Sequence, residues 1–101
     1  MIIVGGQMTI PPEHIADFEH MLADMRPKVL AEAGCHHYSL LVEDRAAGIV
    51  NVYEGWEDDA ALALHFTQPW IGAFFARFGA LMSASTVVIH DVAGTRPLPR
   101  M

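Results

Sequence analysis

The side chains with most chemical potential in this chain fall between Tyr38 and Phe74. His65 stands among Leu62, Leu64 and Phe66. A neutral imidazole in apolar surroundings can take a phenolic proton near pH 7. Its bland alternative is a core histidine held by one backbone bond. Glu54 is a second candidate base if it is buried, or else a carboxylate paired with Arg77 or with backbone donors. Asn51 and Tyr38 carry the polar atoms that would hold a substrate oxygen; otherwise Asn51 bonds a neighbouring loop and Tyr38 is a sheet aromatic. Trp56, Trp70 and Phe74 offer an apolar wall for an aromatic molecule, although Trp56 could equally close the core, because a buried indole needs both packing and an N–H partner.

Other chemistries fit less well. His36 and His37 are neighbours on an expected strand and so point to opposite faces. His14 and His20 lie six apart on an expected helix, which is neither the i, i+4 spacing nor an H-E-x-x-H run. No metal site is expected. Cys35, the single cysteine, excludes an internal disulfide or a thiolate zinc cluster and reads as a small buried residue rather than a nucleophile.

The elements that must position these groups follow from periodicity. Residues 2–10 read as a strand, with Ile2, Val4, Met8 and Ile10 on one face and Gln7 on the other, stopped by Pro11 and Pro12. Residues 13–32 read as a helix whose inner stripe is Ile15, Phe18, Leu22, Met25 and Val29, bent at Pro27 and closed by Gly34. Residues 35–43 form a second strand, with Tyr38, Leu40 and Val42 sharing a face with His36. A hairpin through Gly48 leads into a third strand, residues 49–56. Parity there puts Val52, Glu54 and Trp56 on one face and Asn51, Tyr53 and Gly55 on the other. The period then changes to helical near Asp58, and Glu57, Asp58 and Asp59 supply the cap and the negative charge that a helix N-terminus favours. Pro69 opens a further short helix, and residues 85–92 read as the last strand. The order β-α-β-β-α-β is the ferredoxin-like α+β plan: a four-stranded antiparallel sheet with helices on one face. Residues 1–93 form one domain and residues 94–101 a tail with Pro97, Pro99 and two arginines.

Composition narrows the function. The chain has 101 residues, 52% hydrophobic and 18% charged, against an average charged share of about 25%. A chain this short covers a limited core, and its surplus apolar surface points to a homodimer through the bare sheet face. A net charge of −6 argues against a phosphate-backbone partner. No apolar stretch approaches a membrane span, and the opening residues 1–6 lack a charged leader, so the expected location is cytoplasmic, without membrane association.

With these elements placed, the sequence resembles the antibiotic biosynthesis monooxygenase family. The run Glu32-Ala33-Gly34-Cys35-His36-His37-Tyr38 is similar to the family's E-x-G-C-x-x-Y pattern. Tyr53-Glu54-Gly55-Trp56-Glu57-Asp58 is similar to its Y-E-x-W-x-D pattern, and residues 60–65 and 67–74 to its A-L-x-x-H helix and the continuation beyond it. The resemblance implies a dimeric α+β barrel and, among several family chemistries, oxidation of an electron-rich aromatic such as a phenol or hydroquinone by O2 with no cofactor. His65 would then be the base, Asn51 and Tyr38 the holders of the developing oxyanion, and Trp56, Glu54, Trp70 and Phe74 the substrate contacts. The haem-degrading relatives carry a proximal histidine where this chain has residues 70–78 without one, and an asparagine where it has Gln7; both departures argue against haem. The alternatives are an isomerase or degradative enzyme for a small signalling metabolite, and a non-catalytic dimeric stress protein that binds a small molecule.

Overall fold

A computed structural model describes residues 1–100. The strands are β1 (Ile2–Thr9), β2 (Cys35–Asp44), β3 (Ile49–Trp56) and β4 (Val88–Asp91), and the helices are α1 (Ile15–Leu30), α2 (Asp59–Phe66) and α3 (Pro69–Phe78). The strands make one antiparallel sheet in the order β2-β3-β1-β4. This is the ferredoxin-like α+β plan, with an open sheet. Ile2, Met8, Tyr38, Val50, Val52 and Trp56 on its inner face pack with the α1 stripe of Ile15, Phe18, Leu22, Met25 and Val29 and with Ile71, Phe74 and Phe78 of α3.

Local chemistry accounts for the boundaries. A 3-10 turn, Pro12–His14, precedes α1, so the regular helix begins two residues later than the periodicity predicts. It continues through Pro27 to Leu30. The inner stripe, which is buried throughout, outweighs the one hydrogen bond that proline forfeits. Asp58 caps α2, its side chain accepting from the Ala61 N–H at 2.9 Å.

Two departures concern the strands. His36 is the extra residue of an irregularity between Cys35 and His37, opposite Trp56 and Gly55 of β3. Parity in β2 therefore shifts, and the expected face shared by His36 and Tyr38 does not exist: His36 is exposed and bonds Glu57 at 2.7 Å, while Tyr38 is buried. The last strand is also shorter than residues 85–92. Thr86 crosses Gly6 so closely that a Cβ there would sit 2.6 Å from the Thr86 carbonyl oxygen, and Gly6 itself has a φ of +147°. The chain is held at that crossing by Thr86 N–H on the Gln7 carbonyl at 2.9 Å, and the regular ladder starts only at Val88.

Candidate functional site

The inner sheet face, the two short helices and the segment from Met82 to Ile89 line a half-open cavity of about 290 Å³, at the small end of the range for ligand pockets. Val52 and Glu54 of β3 and Tyr38 of β2 form its floor, and His65 of α2 with Ile71 and Phe74 of α3 its roof. Pairing sets the floor. Tyr38 and Val4 are the cross-strand neighbours of Glu54 on either side, so the carboxyl lies between a phenol and an aliphatic side chain. The Asp58 cap sets the roof. It fixes where α2 begins, and the buried side of that helix then consists of Leu62 and His65.

His65 is held by a carboxylate rather than by the backbone. Its side chain is 3% exposed. Nδ1 lies 2.9 Å from Glu32 Oε1 and 3.1 Å from Oε2. Glu32 stands between α1 and β2, its side chain 7% exposed, and Oε2 also accepts the Trp70 indole N–H at 2.9 Å. A carboxylate receives the proton on Nδ1 and leaves Nε2 as the basic nitrogen. Among the described residues no hydrogen bond reaches Nε2, and no sealed side-chain nitrogen lacks a partner, so Nε2 opens on the cavity that His65 lines.

Glu54 is held by Trp56. The fully buried indole donates to Oε1 at 3.0 Å. Arg77, the partner expected for Glu54, instead pairs with Asp17 at 3.1 Å, joining α3 to α1. The Trp56 ring also lies 4.5 Å from the imidazole of His65, and the Tyr38 ring 5.8 Å from it.

The electrostatics of the cluster oppose the ordinary order of acid strength. Burial raises the Glu54 carboxyl to about 7, the nearby Glu32 charge adds to this, and the Trp56 N–H offsets part of it. Burial pulls the His65 imidazole below its usual value, against the pull of the Glu32 hydrogen bond and charge. The Tyr38 phenol is pushed well above its usual value by burial and then by Glu54 and Glu32, so it stays protonated. Burial also raises the Cys35 thiol, with help from the same two carboxylates.

The residues singled out from sequence thus fall in different places. His65, Glu54, Tyr38 and Phe74 line one cavity. Trp56 sits behind it as a brace. Trp70 stands with Glu32 outside that cavity. Asn51 lies on the opposite sheet face, bonded to Gln7 at 2.8 Å and to Glu43 at 3.1 Å, and is not brought to His65. Glu32 is the residue that sequence reasoning missed. Its signal was available: a histidine in an apolar stripe requires a partner, and Glu32 leads the run that precedes Tyr38. No group of three or more His, Cys, Asp or Glu among the described residues is placed to hold a metal ion.

Comparison with known proteins agrees with this architecture. The family model described as antibiotic biosynthesis monooxygenase matches residues 1–77. A protein of Deinococcus radiodurans superposes with a TM-score of 0.83 over 99% of this chain and 100% of its own, at 18% identity. A solved antibiotic biosynthesis monooxygenase, 27% identical, does so with a TM-score of 0.80 over 93% of this chain and all of its own. A Pseudomonas aeruginosa protein, 25% identical, reaches 0.78 over 92% and 94% of the two chains. An uncharacterised Synechocystis protein is 24% identical across 96% of this chain and 67% of its own length.

Proposed function

This chain belongs to the antibiotic biosynthesis monooxygenase family, and we propose that it is a cofactor-independent monooxygenase of an electron-rich aromatic, a phenol or hydroquinone, with O2 as oxidant. The observation that carries the reading is His65: a buried imidazole with Nδ1 fixed by Glu32 and Nε2 left to an apolar cavity. Triplet O2 reacts slowly with closed-shell organic molecules. A phenol becomes reactive once deprotonated, because the phenolate can pass one electron to O2. The protein then has to bind the ring, remove the proton and exclude water. Phe74, Ile71 and Val52 bind the ring, and Nε2 removes the proton. The Tyr38 hydroxyl, kept protonated, donates to the oxygen that becomes anionic.

Isomerisation of a polar metabolite would need several hydroxyl partners, and this cavity presents few. A closed cavity, or His65 turned away from it, would have favoured a purely binding role; His65 instead lines the cavity. The test is exposure of the purified protein to a panel of phenols and naphthohydroquinones under ¹⁸O2. Enzyme-dependent incorporation of one labelled oxygen into an aromatic product supports the reading. Label that never exceeds the protein-free control for any substrate contradicts it.

We further propose a homodimer through the sheet face that the helices leave bare, where Leu41 and Tyr53 are exposed, within a cytoplasmic protein. Among the described residues no helix is long and apolar enough to cross a membrane.

A further inference from the structure

Monooxygenation needs a base that takes protons from the substrate and an acid that gives one to the oxygen lost as water, and His65 supplies the base. We infer that Glu54 is the general acid of the same reaction, the group that protonates the oxygen lost as water. This rests on the monooxygenase reading above. The geometry is that of two facing walls. Glu54 lies in the β3 floor and His65 in the α2 roof of one cavity, and Trp56 touches both: its N–H holds Glu54 Oε1 and its ring lies tilted against the imidazole, 4.5 Å between centroids. With Oε1 taken, the carboxyl carries its proton on Oε2. Among the described residues no hydrogen bond reaches Oε2, and no sealed oxygen there lacks a partner, so Oε2–H faces the cavity.

The chemistry balances without an external reductant. Nε2 of His65 takes a phenolic proton from a hydroquinone. The phenolate gives one electron to O2, and the radical pair combines to form a C–O bond at the adjacent ring carbon. The peroxide anion regains the proton from His65. In the collapse that follows, His65 removes the hydrogen from that carbon, its electron pair forms C=O, and the O–O bond breaks. The departing hydroxide takes the Oε2 proton of Glu54 and leaves as water, and His65 reprotonates Glu54 through solvent. Hydroquinone plus O2 becomes hydroxyquinone plus water.

The surroundings suit Glu54 to the acid role. The groups that face it are Tyr38 of β2 and His65 of α2, with Glu32 beyond α1 and the Cys35 thiol of β2 near enough to feel its charge, and with apolar Val4 on β1 and Ile71 and Phe74 on α3. None is a fixed cation that would hold the carboxylate ionised. Burial favours the neutral acid up to about pH 7, where the imidazole, pulled down by burial, is already a free base. The environments push a carboxylic acid and an imidazole past each other, which assigns their roles.

The experiment follows O2 uptake, quinone and hydrogen peroxide together, using a naphthohydroquinone and the full chain. Glu54→Gln keeps an acceptor for Trp56 and removes the acidic proton. The expected result is slowed uptake with a large share of the O2 released as hydrogen peroxide, because the peroxide intermediate is no longer cleaved. Wild-type coupling of O2 to hydroxyquinone in that variant, without hydrogen peroxide, overturns the acid role while leaving the His65 reading intact. Failure of the wild type to take up O2 above the protein-free rate removes the monooxygenase reading and the acid role with it. If Glu54→Gln does not fold, Trp56→Phe serves: losing the N–H that lowers the Glu54 pKa should move the alkaline limb of the rate profile upward, and an unmoved limb overturns the proposal. Tyr38→Phe removes the oxyanion donor and should slow O2 uptake while leaving it coupled to hydroxyquinone; hydrogen peroxide release from that variant, with Glu54→Gln still coupled, would make the phenol the acid and overturn the assignment.

Discussion

The indole of Trp56 lies 4.5 Å, centroid to centroid, from the imidazole of His65, with 42° between the rings. The same indole donates its N–H to Glu54 at 3.0 Å. One side chain with no solvent exposure therefore fixes the relative placement of a candidate base and a candidate acid. Trp56→Phe should leave Glu54 Oε1 buried without its donor, at a cost of about 1–3 kcal/mol, with a further cost for the volume lost. Denaturant unfolding of the variant against the wild type measures this. An unchanged midpoint would mean that the hydrogen bond contributes nothing.

Glu32 should matter to both the fold and the rate. Glu32→Ala leaves the His65 Nδ1–H and the Trp70 N–H without their acceptor, and each unmet donor costs roughly 1–3 kcal/mol. Glu32→Gln is the gentler probe, since it keeps an acceptor oxygen and removes the charge. Because Glu32 raises the His65 pKa, the Gln variant should move the imidazole further down. An NMR titration of the histidine ring carbons checks the direction; an upward move would contradict the assigned contact.

Glu54 gives stability a pH dependence of definite sign. Its folded pKa of about 7 lies above the unfolded value of about 4.3, so folding takes up a proton. Its contribution is fully present below the unfolded pKa and is lost as pH rises through about 7, by an amount on the order of 3 kcal/mol. His65 acts in the opposite sense. Its depressed pKa gives a contribution that is present above the ordinary imidazole value and lost as pH falls through the folded one. Comparing wild type with Glu54→Gln isolates the first effect. The difference in unfolding free energy should shift in favour of the variant between pH 5 and pH 8, and a difference independent of pH would show that Glu54 is not perturbed.

Much of this architecture was legible in the sequence because periodicity and punctuation agreed. The α1 stripe, the Asp58 cap and the Pro69 start were all written in residue type, and parity alone put Glu54 with Trp56 and separated Asn51 from them. What was not legible depended on contacts between distant parts of the chain. The extra residue at His36 breaks an alternation that local pattern cannot reveal. The early end of regular pairing before Val88 depends on how closely Thr86 crosses Gly6. The Arg77 partner depended on which acid α1 would present, and that is Asp17 rather than Glu54. Glu32 and His65, separated by thirty-three positions, meet only because the turn into β2 and the helix α2 pack at the same end of the sheet.

The bare sheet face makes its own prediction. Leu41 is 65% exposed and Tyr53 49%. If a second copy covers this face, Leu41→Asp should put an uncompensated charge into the interface and shift the protein to monomer in sedimentation velocity at micromolar concentration. A wild type that is monomeric under the same conditions contradicts the homodimer.

His65, with Nδ1 fixed by Glu32, is the proposed base that activates the substrate. The most direct measurement is steady-state O2 uptake with a naphthohydroquinone by the wild type and by His65→Gln, across the pH range in which both fold. Gln keeps hydrogen-bonding capacity and removes the basic nitrogen. The wild-type rate should rise with pH through a midpoint below the ordinary imidazole value. The variant should lose roughly 10²-fold or more of that rate, with circular dichroism and oligomeric state unchanged. A folded His65→Gln protein that takes up O2 at the wild-type rate, with the same rise with pH, would contradict it.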